Sequence, residues 1–199
     1  MTSSELHEAV LTKLETFDVD KYREHFVLVG EGQKNEIYNI SGRNNKYYQY
    51  LFCLNELLKP KQEIEIGAAA GISTILMCLS LPKESVFYSV DIDPMSWRWM
   101  NADYPQLVKL LGSSTDMNIW PKGVDLSKTN VWFMDSLHEE QQLRAEVELY
   151  KPFWKKGTVI LFDDIHLNDG MERVWNDLNG DKLDISDPCH YSGFGLLMT

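Results

Sequence analysis

Leu6, Val10, Leu14 and Phe17 recur at i, i+4, i+8 and i+11, which predicts an amphipathic helix at the start of the chain. The stretch from Gly30 to Asn45 is rich in Gly and Asn and reads as loop, with a short extended piece at 37–40. A helix is expected over 47–58, stopped by Pro60. From there, short apolar runs at 63–66, 86–92, 108–111, 131–134 and 158–162 read as strands, and helical patterns separate them. Ile72, Ile75, Leu76 and Leu79 share one helical face. Leu143, Val147, Tyr150 and Trp154 share a second, closed by Gly157, and Met171, Val174, Trp175 and Leu178 share a third. Strands that are apolar on both faces and alternate with helices imply a parallel sheet covered on both sides. Two last extended pieces, 183–186 and 193–198, are joined by a short connection, which suits antiparallel pairing at the sheet edge.

Composition narrows the choice of partner more than the choice of fold. The 199 residues suffice for one domain, with residues 1–46 as an N-terminal helical and loop segment before a main domain at 47–199. A net charge of −11 argues against nucleic acid or an anionic membrane as partner, because phosphate binding relies on clustered Lys and Arg. Cys53, Cys78 and Cys189 are widely spaced among apolar residues, the pattern of buried thiols in a reducing compartment. The N-terminus does not read as a signal peptide and no apolar run reaches membrane-spanning length, so a cytoplasmic location is expected. Oligomeric state is not legible, although an acidic domain with a helical N-terminal arm often forms a homodimer.

The most informative segment is E-I-E-I-G-A-A-A-G at 63–71, followed by Ile72, Ser73 and Thr74. Gly67 and Gly71 bracket a turn where the backbone can pass close to a ligand, and the helix that follows presents free N–H groups. The spacing matches neither the dinucleotide fingerprint nor a P-loop. In open parallel sheets, ligands bind beyond the carboxyl ends of the strands. Glu65, Asp91, Asp135 and the pair Asp163–Asp164 end four of the five strand-like runs, and the remaining run ends at Gly112 to Asp116. One such acid is ordinarily a turn former or helix cap. Several like charges converging on one edge would repel unless a counter-ion joins them.

With these residues in place the chain resembles the class I S-adenosylmethionine-dependent methyltransferases, over roughly residues 47–199. The resemblance implies an α/β fold: a Rossmann-like doubly wound seven-stranded sheet, mostly parallel, with an antiparallel last strand and helices on both faces. It also implies that Glu65, Gly67, Ala68, Gly71 and Ser73 belong to the cofactor loop. Asp91 would bind the ribose hydroxyls, Ile92 would face adenine, and Ser113 and Ser114 would contact the adenine edge. Residues 1–46 would contribute to an acceptor pocket or lid. Within the class, the strand-end acids are similar to those of the metal-dependent small-molecule O-methyltransferases. These include the catechol type and, more closely, the branch with sugar O-methyltransferases and cephalosporin-hydroxylase-like proteins. That similarity implies Asp135, Asp163 and Asp164 as metal ligands, with Asp135 also at the cofactor. It implies His138 as general base, with His166 as a substrate contact or a partner of the ligands.

The expected chemistry is methyl transfer to a hydroxyl of a catechol-like or sugar-like small molecule. A carboxylate cluster without thiolates suits Mg²⁺, or Mn²⁺ or Ca²⁺, rather than zinc. An imidazole with its ordinary pKa suits proton abstraction near neutrality. Trp97, Trp99 and Trp120 follow strand ends, where one could line the acceptor pocket, though core packing is the commoner role for tryptophan. Two other readings stay open: a metal-independent or nucleic-acid methyltransferase on the same fold, and a non-catalytic module that only binds the cofactor.

Overall fold

The computed structural model describes residues 1–38 and 46–199. Five parallel strands form the centre: β1 (Gln62–Ile66), β2 (Val86–Asp91), β3 (Leu107–Leu111), β4 (Val131–Met134) and β5 (Val159–Asp163). With β6 (Asp181–Asp184) and β7 (Phe194–Met198) they make a seven-stranded sheet in the order β3-β2-β1-β4-β5-β7-β6. Strand β7 runs antiparallel to both its neighbours, β5 and β6. The fold is the expected Rossmann-like arrangement, and order reverses between β1 and β4, where α/β sheets open a crevice.

Alternation along the central strands sorts side chains between two cores. Val131, Phe133, Val159 and Leu161 face α1 (Ser3–Leu14), α3 (Tyr47–Leu58) and α4 (Ile72–Ser80). Trp132, Met134, Ile160 and Phe162 face α5 (Glu140–Tyr150) and α6 (Asp169–Asp177). The E-I-E-I text of β1 obeys the same rule. Ile64 and Ile66 join the second core, while Glu63 and Glu65 alternate with them and are fully buried.

Residues 1–38 share the first core, since Leu6, Val10, Phe26, Val29 and Ile37 are all buried within it. Thr2 and Glu5 form a reciprocal capping box at the start of α1. Ser3 ties that helix to the sheet edge through its amide and hydroxyl, both donating to Asp181 at 2.8 and 2.7 Å.

Three expectations need correction. The stretch expected as loop contains a helix, α2 (Glu31–Ile37), steadied by a Lys34–Glu31 ion pair of 2.9 Å and by burial of Ile37. Ile37, expected at the start of an extended piece, is the last residue of that helix, and 39–40 fall outside the described residues. Helix α5 ends at Tyr150 and gives way to a 3₁₀ turn at Lys151–Phe153, because Pro152 has no N–H to continue it. Trp154 therefore packs against the second core from beyond the helix.

Candidate functional site

Tight turns at the carboxyl ends of β1 and β4 bring two polar regions together. Gly67 takes φ +92°, and a Cβ there would lie 1.8 Å from the carbonyl oxygen of Asp135. Only glycine allows that approach. Gly71 takes φ +93° and starts α4, with a Cβ position 3.0 Å from Trp97 Cα. Asp91 closes the turn from β2: Oδ2 accepts from the amides of Ala68 and Ala69 at 2.9 and 2.8 Å, and Oδ1 accepts from Asp93 N at 2.8 Å.

Beneath the turn, Glu65 is fully buried. Its Oε1 accepts from Ser73 Oγ at 2.5 Å, and its Oε2 from Thr74 Oγ1 and Ser89 Oγ at 2.6 and 2.5 Å. Burial raises its carboxyl pKa to about 7 against the lowering effect of these three hydroxyls. Trp97 donates Nε1–H to Ser89 at 2.8 Å and is a core residue here.

A cavity of about 370 Å³ opens above these turns. Gly67, Asp91, Ile92, Ser113, Ser114 and Asp135, all expected at the cofactor, line it. Ile92 and Leu137 are strongly exposed apolar walls. Glu65, Ala68, Gly71 and Ser73 do not line it; they build the turn from behind or below. Two residues unmarked in the sequence shape the far wall. Gln142 donates to Ser114 Oγ and Glu146 Oε1 at 3.0 and 2.8 Å, and buried Glu146 also accepts from the hydroxyls of Ser114 and Ser136 at 2.5 and 2.8 Å. Burial raises the Glu146 pKa despite those donors.

Asp135 lines this cavity and also joins one of two overlapping groups beside it, Asp135–His138–Asp163 and Asp163–Asp164–His190, which share Asp163. His138 bridges the cluster, with Nε2 3.1 Å from Asp135 Oδ1 and Nδ1 3.0 Å from Asp164 Oδ2. Burial lowers its basicity, but the two carboxylates overcome that and raise its pKa to about 10. The imidazole so placed is a cation at neutral pH. Burial would also raise the Asp164 carboxyl, yet His138, His190 and Ser192 outweigh it and hold the group well below the usual carboxylate range. Asp163 lacks such help. Burial and the charges of Asp135 and Asp164 push it well above the ordinary value, and its buried Oδ1 has no hydrogen-bond partner.

His190 and Ser192, unmarked in the sequence, complete the cluster. His190 Nδ1 lies 3.3 Å from Asp164 Oδ1 and 2.8 Å from Ser192 Oγ, and Ser192 in turn donates to Asp164. A signal existed: β7 is antiparallel, so the residues just before it return to the edge where the parallel strands end, and Phe194 pairs with Asp163. His166 is turned elsewhere, with Nε2 2.7 Å from Asp184 Oδ2.

A family model described as a methyltransferase domain matches residues 64–165, just over half the chain and the turns after β1 and β4. The chain belongs to that family. It is a class I S-adenosylmethionine-dependent methyltransferase. Solved structures agree on the fold of this methyltransferase. The O-methyltransferase TomG from Streptomyces achromogenes, involved in tomaymycin synthesis and solved in complex with SAM, is 18% identical with a TM-score of 0.62; the match covers 76% of this chain and 79% of that one. Cofactor-bound Rv0187 from MTB is 15% identical with a TM-score of 0.61, covering 95% of this chain and 88% of that one. A methyltransferase from Geobacter sulfurreducens is 13% identical with a TM-score of 0.59, covering 78% and 80%. No curated protein matches the chain in sequence. No helix among the described residues is long and apolar enough to cross a membrane.

Proposed function

We propose that this methyltransferase transfers the methyl group of S-adenosylmethionine to a hydroxyl of a small catechol-like or sugar-like molecule, with a divalent cation held by Asp135, Asp163 and Asp164. One observation carries the reading: Asp135 is at once a wall of the cavity and a member of the carboxylate cluster, so the two ligands would meet at that residue. The cavity suits the cofactor in size. Ile92 and Leu137 offer apolar surface to a purine ring, and Asp91 lies on the wall where ribose hydroxyls would reach it. The cluster suits a hard cation, since its donors are mainly carboxylate oxygens and one of them is buried without a partner. A bound cation supplies a Lewis acid that lowers the pKa of an acceptor hydroxyl.

His138 would receive the hydroxyl proton only after the imidazolium has lost one ring proton to solvent, at the nitrogen freed from its carboxylate. Until then its two carboxylate contacts keep it protonated. The charge of −11 makes a neutral or cationic acceptor a better match than a polyanion.

The bridging His138 also favours a second reading, in which an imidazolium alone neutralises Asp135 and Asp164 and transfer needs no metal. One experiment separates the two. Labelled S-adenosylmethionine is incubated with a panel of catechols, sugars and nucleic acids, with and without exhaustive chelation, and the products are identified by mass spectrometry. Cation-dependent methylation of a hydroxyl is expected. Full activity in chelator would leave the metal-free reading, and transfer only to nucleic acid would overturn the acceptor class.

A further inference from the structure

The sequence directs attention to carboxylates, and carboxylates alone suit Mg²⁺, Ca²⁺ or Mn²⁺. The folded chain adds an imidazole that the strand-end pattern does not mark. His190 is 8% exposed, and its Nδ1 edge points at both acids that end β5. It lies 3.3 Å from Asp164 Oδ1 and 3.6 Å from Asp163 Oδ1, and that second oxygen has no hydrogen-bond partner. A charge-assisted hydrogen bond would draw such groups to roughly 2.7–2.9 Å. At 3.6 Å the nitrogen and the orphaned oxygen are not bonded to each other. Because the Ser192 hydroxyl donates to Asp164, Nδ1–H donates to Ser192 Oγ, and this nitrogen could hold a cation only once that proton has left.

The ring is held rather than loose. The edge-on ring of Tyr47 packs with its centroid 4.6 Å away, the His190 amide donates to Ser186 O at 2.8 Å, and the Ser192 hydroxyl stands 2.8 Å from Nδ1. Gly193, with φ +107°, lets the turn fold back so closely that a Cβ would lie 2.5 Å from His166 N. The turn before β7 thus fixes an imidazole against the two β5 carboxylates.

Building on the metal-dependent reading above, we propose that His190 is a nitrogen ligand of the cation, alongside Asp163 and Asp164, and that the site prefers Mn²⁺ or Fe²⁺ to Mg²⁺. Imidazole nitrogen adds little for a hard, tightly hydrated Mg²⁺. For first-row transition ions it adds affinity, while the carboxylates keep the site closer to Mn²⁺ and Fe²⁺ than to copper.

The test uses the full chain, stripped of metal and saturated with S-adenosylmethionine, titrated by calorimetry with Mn²⁺ and separately with Mg²⁺. Wild type should bind Mn²⁺ at least about tenfold more tightly than Mg²⁺. His190→Gln should lose roughly 10- to 100-fold in Mn²⁺ affinity with a much smaller change for Mg²⁺, so that the preference collapses. Pulsed EPR of Mn²⁺-loaded wild type should show nitrogen coupling that persists in His138→Gln and disappears in His190→Gln. The wild-type and His138→Gln spectra keep the test decisive even if His190→Gln folds poorly. Nitrogen coupling absent from wild type, or an unchanged metal preference in a folded His190→Gln, overturns the role of His190 alone. Failure of wild type to bind either ion overturns the metal-dependent reading together with it.

Discussion

Two buried acids, Glu65 under the glycine turn and Asp163 at the end of β5, have opposite surroundings. Glu65 is met by the hydroxyls of Ser73, Thr74 and Ser89, so both oxygens are satisfied by the chain itself. Asp163 faces Asp135 and Asp164, and its Oδ1 is left without a partner. A buried polar atom without a bond costs free energy. The first acid holds the turn in shape. The second carries the cation in the proposed reading.

The most damaging change should be one that pries the two regions apart. Gly67→Val puts a branched side chain at φ +92° and into the carbonyl of Asp135. A loss of at least about 3 kcal/mol is expected from strain and overpacking together, read as a lower urea midpoint. An unchanged midpoint would mean that the turn and β4 are not locked as described.

Next in size is the pH signature of Glu65. Its folded pKa, near 7, lies above the ordinary value of 4.5. Between those values the folded chain keeps a proton that the unfolded chain has lost, so stability falls as pH rises through the window and is fully retained below it. The difference is worth roughly 3 kcal/mol. Glu65→Gln removes that slope, so the variant should gain on wild type from pH 4.5 to 7.5 in paired urea melts. Parallel stability curves would show that the three hydroxyls keep the carboxyl ionised.

The cation response should be somewhat smaller. At about 100 times its Kd, a divalent ion should stabilise wild type by roughly 2.7 kcal/mol. Asp163→Asn should abolish most of that melting shift while retaining the shift given by S-adenosylmethionine, because Asp163 does not line the cavity proposed for it. Loss of both shifts together would show that the two regions act as one site.

The sequence by itself determined the alternation of strand and helix, the turn from Gly67 to Gly71, and the acids that end β1, β2, β4 and β5. These rest on short-range rules: burial periodicity, the conformational freedom of glycine, and the fixed edge at which parallel strands end. It misplaced α2 and the end of α5, where one buried Ile37 and one proline decide against weak local patterns. Only the tertiary structure decided how each acid is completed. Glu65 meets hydroxyls from α4 and β2, and Glu63 meets Asn55 of α3 at 2.8 Å. His190 reaches Asp163 and Asp164 from 26 or more positions away because β7 runs backwards beside β5. Long-range partners of this kind leave no period in the chain, since a hydrogen bond or a shared ligand depends on where two backbones meet and not on how far apart their residues are in sequence.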